Sequence, residues 1–386
     1  MENIRSEKKW NVLMVISWYG AKDGSSQGGS FHYEQVKSLN DYCNCAIYYP
    51  YDRSLKEPFC GEVERGILTY RTKYKLENKL RNRIYMFRTM KRIVKEFHPD
   101  IIHGNVATES GRFAVMLGKL FHIPVMLTEH SAVEASGVTS FPHYYYARFA
   151  YGNSCYNACV SDDLRDKLKK VFPQYEFHTI YNGIRAMSVR EKNNIYRKAN
   201  CVNIGMVAGF YSKEIKGVQF VLPAIKRMKE DGYKVALHIM GGGTYLQEYI
   251  NYANELGLES TCTFYGACEK EKLFSIESEM DYMVSASLFE SFGCAVAEGM
   301  MLGKPFVASK SGGVESIVNK DNGILVEKGS IDEIYDGLVK MYYMYEQYNP
   351  QEISTYANNK FAVDSISKRY MKIYSQILDK NLSEDT

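Results

Sequence analysis

Apolar residues come in short dense runs separated by longer stretches with helical spacing. The run 11–17, centred on Val12-Leu13-Met14-Val15-Ile16, predicts a buried strand. A Gly- and Ser-rich loop over 19–30 follows, then a helix-like stretch at 31–39. Further strand-like runs recur at 45–49, 101–103, 125–128, 158–161 and 179–181, with helix-like segments at 81–97, 109–121 and 163–171 between several of them. Strand and helix alternating in this way predict a parallel sheet with helices on both faces.

The pattern restarts beyond a polar stretch, 188–200, which reads as a linker. A strand at 201–207 precedes Val218, Val221, Leu222, Ile225 and Met228, which share one face of an amphipathic helix. Strands at 235–240 and 262–265, a helix at 245–256, and strands at 306–308 and 324–326 continue the alternation, and 363–378 closes the chain as a helix. The expectation is two α/β domains: residues 1–187, joined by a terminal helix within 361–386, and residues 188–360. Such sheets bind ligands beyond the carboxyl ends of their strands, and two facing sheets would form a cleft.

A chain of 386 residues is long for one domain, which agrees with this division. A net charge of +3 and the absence of zinc-finger or RRM patterns give no support to a nucleic-acid partner. The nine cysteines are scattered without CxxC pairs, against a disulfide framework or structural zinc. The first ten residues lack the apolar core of a signal peptide and no window is apolar enough to span a membrane, so a cytoplasmic location is expected.

The chemistry concentrates at 282–303. The apolar run Tyr282-Met283-Val284-Ser285-Ala286 leads into Phe289-Glu290-Ser291-Phe292-Gly293-Cys294-Ala295-Val296-Ala297-Glu298-Gly299, a tight loop opening a helix. A helix start presents unsatisfied N–H groups and partial positive charge, and small residues let an anion approach them. Glu290 and Glu298 are eight residues apart, roughly 12 Å along a helix at about 1.5 Å per residue. That fits a glycosidase pair poorly unless the loop bends back, since such carboxylates lie roughly 5–9.5 Å apart.

This segment resembles the E-x7-E motif of retaining glycosyltransferases with two Rossmann-like domains (GT-B), chiefly family 4. The resemblance extends from the first strand to the last helix, which in the family crosses back onto the first domain. It implies that Glu290 holds donor-sugar hydroxyls, Glu298 the ribose hydroxyls, and that Phe292, Gly293 and Cys294 offer backbone N–H groups to the sugar and diphosphate. Lys216, opening a helix with Gly217 after the strand and turn through Gly209, resembles the lysine that neutralises the leaving diphosphate. Most members carry arginine where this chain has Phe210, and Lys213 is the candidate substitute.

Gly241 in Met240-Gly241-Gly242-Gly243 resembles the turn beside the nucleotide, and Gly266, Ala267 and Cys268 resemble the segment along the nucleobase. Gly29 and Ser30 resemble the amino-terminal glycine turn; an ordinary loop is the other reading. His130 matches a histidine near the donor sugar, and His103 is a second candidate that could equally be structural. Asn182-Gly183 resembles the turn near the hinge, with Arg185 where an acid is usual.

The resemblance implies transfer of a sugar from a nucleotide diphosphate donor, a UDP-sugar before GDP-mannose, to a glycan or lipid-linked acceptor, in capsule, exopolysaccharide or O-antigen assembly. It implies no metal and no cofactor. A nucleotide-sugar epimerase and a non-catalytic binding subunit are the alternatives. Finally, Arg71, Lys73, Lys75, Lys79, Arg81, Arg83, Arg88, Lys91, Arg92 and Lys95 crowd one stretch with interleaved aromatics. This is either a solvated helix face or a contact for an anionic membrane or pyrophosphate-linked lipid, the latter placing the protein on the inner face of the plasma membrane.

Overall fold

The computed structural model describes residues 9–20, 22, 30–73 and 79–384. The chain divides into two compact units, residues 1–183 with 363–386, and residues 184–362. The first contains strands β1 (Asn11–Val15), β2 (Asn44–Tyr49), β3 (Phe59–Glu64), β4 (Ile67–Thr72), β5 (Ile101–Asn105), β6 (Val125–Glu129), β7 (Tyr156–Cys159) and β8 (His178–Thr179). They form one sheet in the order β3-β4-β2-β1-β5-β6-β7-β8. The central strands are buried on both faces, which is why β1 is a continuous apolar run rather than an alternating one.

One edge departs from the all-parallel expectation. β3 and β4 pair antiparallel through Arg65-Gly66, both at positive φ (51° and 84°), as a tight hairpin turn requires. β3 was illegible because Gly61, Glu62 and Val63 all lie exposed at a sheet edge and carry no apolar alternation. The helix expected from residue 109 starts regularly only at Arg112; residues 107–111 form a wider π turn, broken at Glu109 and entered through Val106 at φ 60°.

The final helix, Val363–Glu384, belongs to the first unit. Ile366, Tyr370, Ile373, Tyr374 and Ile377 recur at helical spacing and enter the core that holds Val12, Met14, Val36 and Leu39. Tyr374 also donates or accepts a 2.7 Å hydrogen bond with His103 Nδ1.

The second unit carries β9 (Val202–Val207), β10 (Val235–Met240), β11 (Cys262–Phe264), β12 (Tyr282–Ser285), β13 (Phe306–Ser309) and β14 (Gly323–Val326), in the order β11-β10-β9-β12-β13-β14, all parallel. The predicted face of the helix Val218–Glu230 is buried as expected. The stretch read as a linker is instead strapped to this unit. Asn193 and Asn194 donate backbone N–H groups to Glu279 (2.8 and 2.9 Å), and Arg197 pairs with Asp281 at 2.8 Å.

Candidate functional site

β9 and β12 are neighbours although about eighty positions separate them, so the loops leaving their carboxyl ends meet. Leu288 N–H bonds to Ile215 O (2.9 Å), Glu290 N–H to Ser311 O, and Gly313 N–H to Glu290 O (both 2.8 Å). Glu290 is thereby held between the loop after β9 and the loop after β13. Its carboxylate accepts from Lys216 Nζ at 2.5 Å and from Ser287 Oγ at 2.9 Å. The pair is only partly exposed, 32% for Lys216 and 20% for Glu290. Gly217 makes this approach possible: its φ is +69°, and a Cβ there would lie 1.9 Å from Ala286 O.

Three residues beyond Glu290, Gly293 (φ 101°) caps the helix Cys294–Met301. Gly313 must also be glycine, since a Cβ would sit 2.5 Å from the Phe292 backbone. The Phe292 ring is buried and packs against Phe361, so only its backbone can reach a ligand. Cys294 is the first helical residue and is half-buried. Glu298 lies in the same short helix, its side chain 16% exposed and 3.5 Å from Lys270 Nζ. Burial raises its carboxyl above the usual range, against the opposing pull of Lys270.

Sequence reasoning missed Glu277, which is fully buried in the helix Lys270–Glu279 with no hydrogen-bond partner at either carboxyl oxygen among the described residues. Burial, and then the charge of Glu298, push its carboxyl well above the ordinary carboxylate range. Its only sequence signal was a helical offset from Phe274. Ser287 was also missed; a lone serine after a strand carries no signal until Glu290 is seen beside it.

At the ends of β9, β10 and β11 the glycine loops knit together. Ala208 N–H bonds to Met240 O, Phe210 N–H to Gly242 O and Gly241 N–H to Gly266 O, each at 2.9 Å. Gly241 is glycine for packing, since a Cβ would be 1.9 Å from Ala208 O, and Gly242 would press on Ala267. Gly209 and Gly266 are different. Among the described residues a Cβ on Gly209 would meet only the Tyr211 ring, and a Cβ on Gly266 would meet nothing within 4 Å. Their backbones are open to a ligand. Cys268 is half-buried beside them, its thiol 3.6 Å from Gly266 O.

Phe210 is 1% exposed and packs on Tyr249 and Phe264; it is a core residue, and no charged side chain could take its place unaltered. Lys213 projects from the same loop and is paired with Glu248 at 3.0 Å.

In the first unit, Gly29 lies outside the described residues, and Ser30 opens the helix Ser30–Leu39. His130 follows β6. Its Nε2 is 2.8 Å from Asn105 Oδ1 and its ring meets His32 edge to face at 5.0 Å. Burial pulls its pKa down to about 3, against an opposing hydrogen bond with Asn182, so the imidazole is neutral. Glu129, unremarked in the sequence, holds this loop by accepting from Ala107, His130 and Ser131 N–H and from Tyr151 OH.

His103 is structural. Tyr374 and Thr128 occupy its two ring nitrogens at 2.7 Å each. The basic stretch also needs correction at Arg71. Its guanidinium is buried between Asp52 (2.5 Å) and Glu64 (2.6 Å) and is no part of a surface.

Two family models match, Glycosyl transferases group 1 over residues 189–358 and Glycosyltransferase Family 4 over residues 46–186. An uncharacterized glycosyltransferase of Methanocaldococcus jannaschii is 25% identical over 77% of the chain and 86% of that protein. The putative teichuronic acid biosynthesis glycosyltransferase TuaC of Bacillus subtilis is 24% identical over 89% of the chain and 91% of its own length. Among solved structures, Anabaena HepE in complex with UDP and glucose superimposes with a TM-score of 0.71, at 18% identity, over 95% of this chain and all of that one.

Proposed function

The chain belongs to the group 1 (family 4) glycosyltransferases of the GT-B fold, and from that premise we propose that it transfers a sugar with retention of configuration from a nucleotide diphosphate donor to a hydroxyl of a glycan or lipid-linked acceptor. The second unit takes the donor and the first the acceptor. The observation that carries this reading is the Lys216–Glu290 pair, a cation and a hydroxyl acceptor fixed at one strand end beside a glycine-capped helix start.

In this reading the acceptor oxygen bonds to the anomeric carbon on the face the diphosphate leaves. The carbon–phosphate oxygen bond breaks and its electron pair goes to the diphosphate. A phosphate oxygen takes the acceptor proton. Lys216 and the helix start at Gly293 and Cys294 stabilise the charge gathering on the diphosphate. Glu290 orients the sugar hydroxyls, Glu298 the ribose hydroxyls, and neutral His130 hydrogen-bonds the sugar. The open backbones of Gly209 and Gly266, with Ala267 and Cys268, line the nucleotide.

With Phe210 in the core, the diphosphate loses the guanidinium most members supply, and Lys213 is the remaining cation of that loop. No metal is assigned a role. A UDP-sugar is favoured, in line with the ligand of HepE, with GDP-mannose next; the name of TuaC supports a role in polysaccharide assembly, and a cytoplasmic site of reaction is part of this proposal.

Thermal stabilisation by UDP, GDP, ADP and CMP tests the donor site. A ligand at about 100 times its Kd stabilises a protein by about 2.7 kcal/mol. One diphosphate is expected to raise the melting temperature, and Glu298→Ala to abolish the rise. No response to any of the four overturns the reading. The anomeric configuration of the product then decides retention, and acceptor-dependent turnover separates transfer from epimerisation.

A further inference from the structure

Three helices of the first unit, Lys79–Phe97, Arg112–Phe121 and His143–Gly152, enclose an open groove of about 800 Å³. Met86 and Phe87 line it from the first helix, Met116 and Leu120 from the second, Tyr146 and Phe149 from the third. Water reaches these side chains: Phe87 is 45% exposed, Leu120 44% and Phe149 38%. Phe141 and Tyr145, just before and within the third helix, are exposed as well. Scattered apolar residues at a surface are ordinary, but a continuous apolar groove shared by three helices marks a contact.

Charge identifies the partner. The three helices carry ten Lys and Arg residues against a single acid, Glu96, and that acid is already paired with Arg92 at 2.7 Å. Arg112 and Lys119 stand on the rim of the groove itself, Arg112 lying 4.3 Å over the Tyr146 ring. Along the first helix Ile84, Phe87, Arg88, Lys91 and Lys95 succeed one another at helical spacing, all exposed, so apolar and cationic side chains share one stripe.

We propose that this face docks on the surface of an anionic lipid bilayer, its aromatic and aliphatic side chains entering the headgroup boundary while the ring of cations holds the lipid charges. Aromatic side chains with a polar edge settle at that depth, and cations add attraction that falls off within a Debye length. A second copy of the chain fits poorly, because a two-fold contact would set this cationic face against itself. Among the described residues no helix is long and apolar enough to cross a membrane, so the helices would lie in the plane of the surface. The inference rests on this surface alone and requires no donor or acceptor.

Co-sedimentation with phosphatidylglycerol vesicles and phosphatidylcholine vesicles at 0.1 M salt tests it. Binding is expected to the first and not the second, and to weaken as salt rises. Each cation near an anionic surface contributes about fivefold, so Arg88→Gln with Lys91→Gln should weaken binding about 25-fold. Phe87→Ser with Phe149→Ser should weaken it at least tenfold. Circular dichroism and the nucleotide-induced thermal shift on the same samples establish that each variant is folded, and keep failure here distinct from failure of the transferase reading.

Should the serine pair not fold, Phe87→Trp read by brominated-lipid quenching replaces it, with quenching expected. Absence of binding to phosphatidylglycerol at low salt overturns the proposal. So does binding that responds to the glutamine pair but not the serine pair, which is adsorption by charge without insertion. A dimer in light scattering that the serine pair dissociates, with no vesicle binding, assigns the face to a second copy instead.

Discussion

Replacing Lys216 with alanine separates its two roles, holding Glu290 and neutralising the departing diphosphate. The structural role is modest. The 2.5 Å contact to Glu290 is a charge-assisted hydrogen bond, a kind that contributes about 1.5–3 kcal/mol when buried. Lys216 is about a third exposed, and Ser287 still donates to Glu290, so about 1 kcal/mol is the reasonable loss. In a domain of this size that lowers the melting temperature by about 2–4 °C.

The chemical role is larger. A donor diphosphate is already anionic when bound and gains about one further unit of negative charge as the sugar leaves. An ammonium about 4 Å from that charge, at an effective dielectric near 20, lowers its energy by about 4 kcal/mol. Solvent exposure reduces this, so a fall in kcat of about 10²–10³ is expected, at about 1.4 kcal/mol per factor of ten. KM should rise only severalfold, because the ground-state diphosphate loses less than the transition state does. Lys216→Arg, which keeps the charge, should recover part of the rate. The assay is single-turnover release of the nucleotide diphosphate found by thermal shift. A kcat for Lys216→Ala within threefold of the parent, with the fold intact, would refute this role for Lys216.

Other positions give further tests. Gly217→Ala places a Cβ against Ala286 O at positive φ; a loss of at least about 2–3 kcal/mol in urea unfolding is expected, and an unchanged midpoint would show that the loop relaxes freely. Phe210→Arg, which restores the arginine usual in the family, should unfold the second unit rather than raise turnover, since removing a core ring and burying an unpaired charge cost about 3–5 kcal/mol; a stable and faster variant would contradict the packing described.

Stability should also depend on pH through His103, whose pKa burial lowers from 6.5 to about 3, with a smaller contribution from His130. Between these values the unfolded chain binds a proton that the folded chain does not. Stability is therefore full above pH 6.5 and falls as pH drops toward 3, by about 1.4 kcal/mol per unit for this histidine. His103→Gln should make that slope shallower by one proton, measured by urea unfolding at several pH values; an unaltered slope would remove His103 as a source.

The order of elements was legible because local spacing records which face of each strand or helix meets a core. The helix Val218–Glu230, the strand Asn11–Val15 and the return of the last helix to the first unit follow from spacing and family likeness alone. The Glu290–Glu298 segment was legible for a related reason, since strand, loop and helix start are contiguous in the chain.

What tertiary structure alone decided are meetings between distant positions. Lys216 reaches Glu290 across 74 residues because β9 and β12 are neighbours, a fact of sheet order that local periodicity does not carry. Burial likewise belongs to the folded chain. It raises the Glu277 carboxyl well above the ordinary range, turns Phe210 into core and seals Arg71 between two carboxylates, although nothing near these residues in sequence marks them as enclosed. The basic stretch shows both sides of this division. Its charge was plain in the sequence, but only the packing of three helices reveals which cations surround an apolar groove, because a surface is assembled from segments that the chain itself keeps apart.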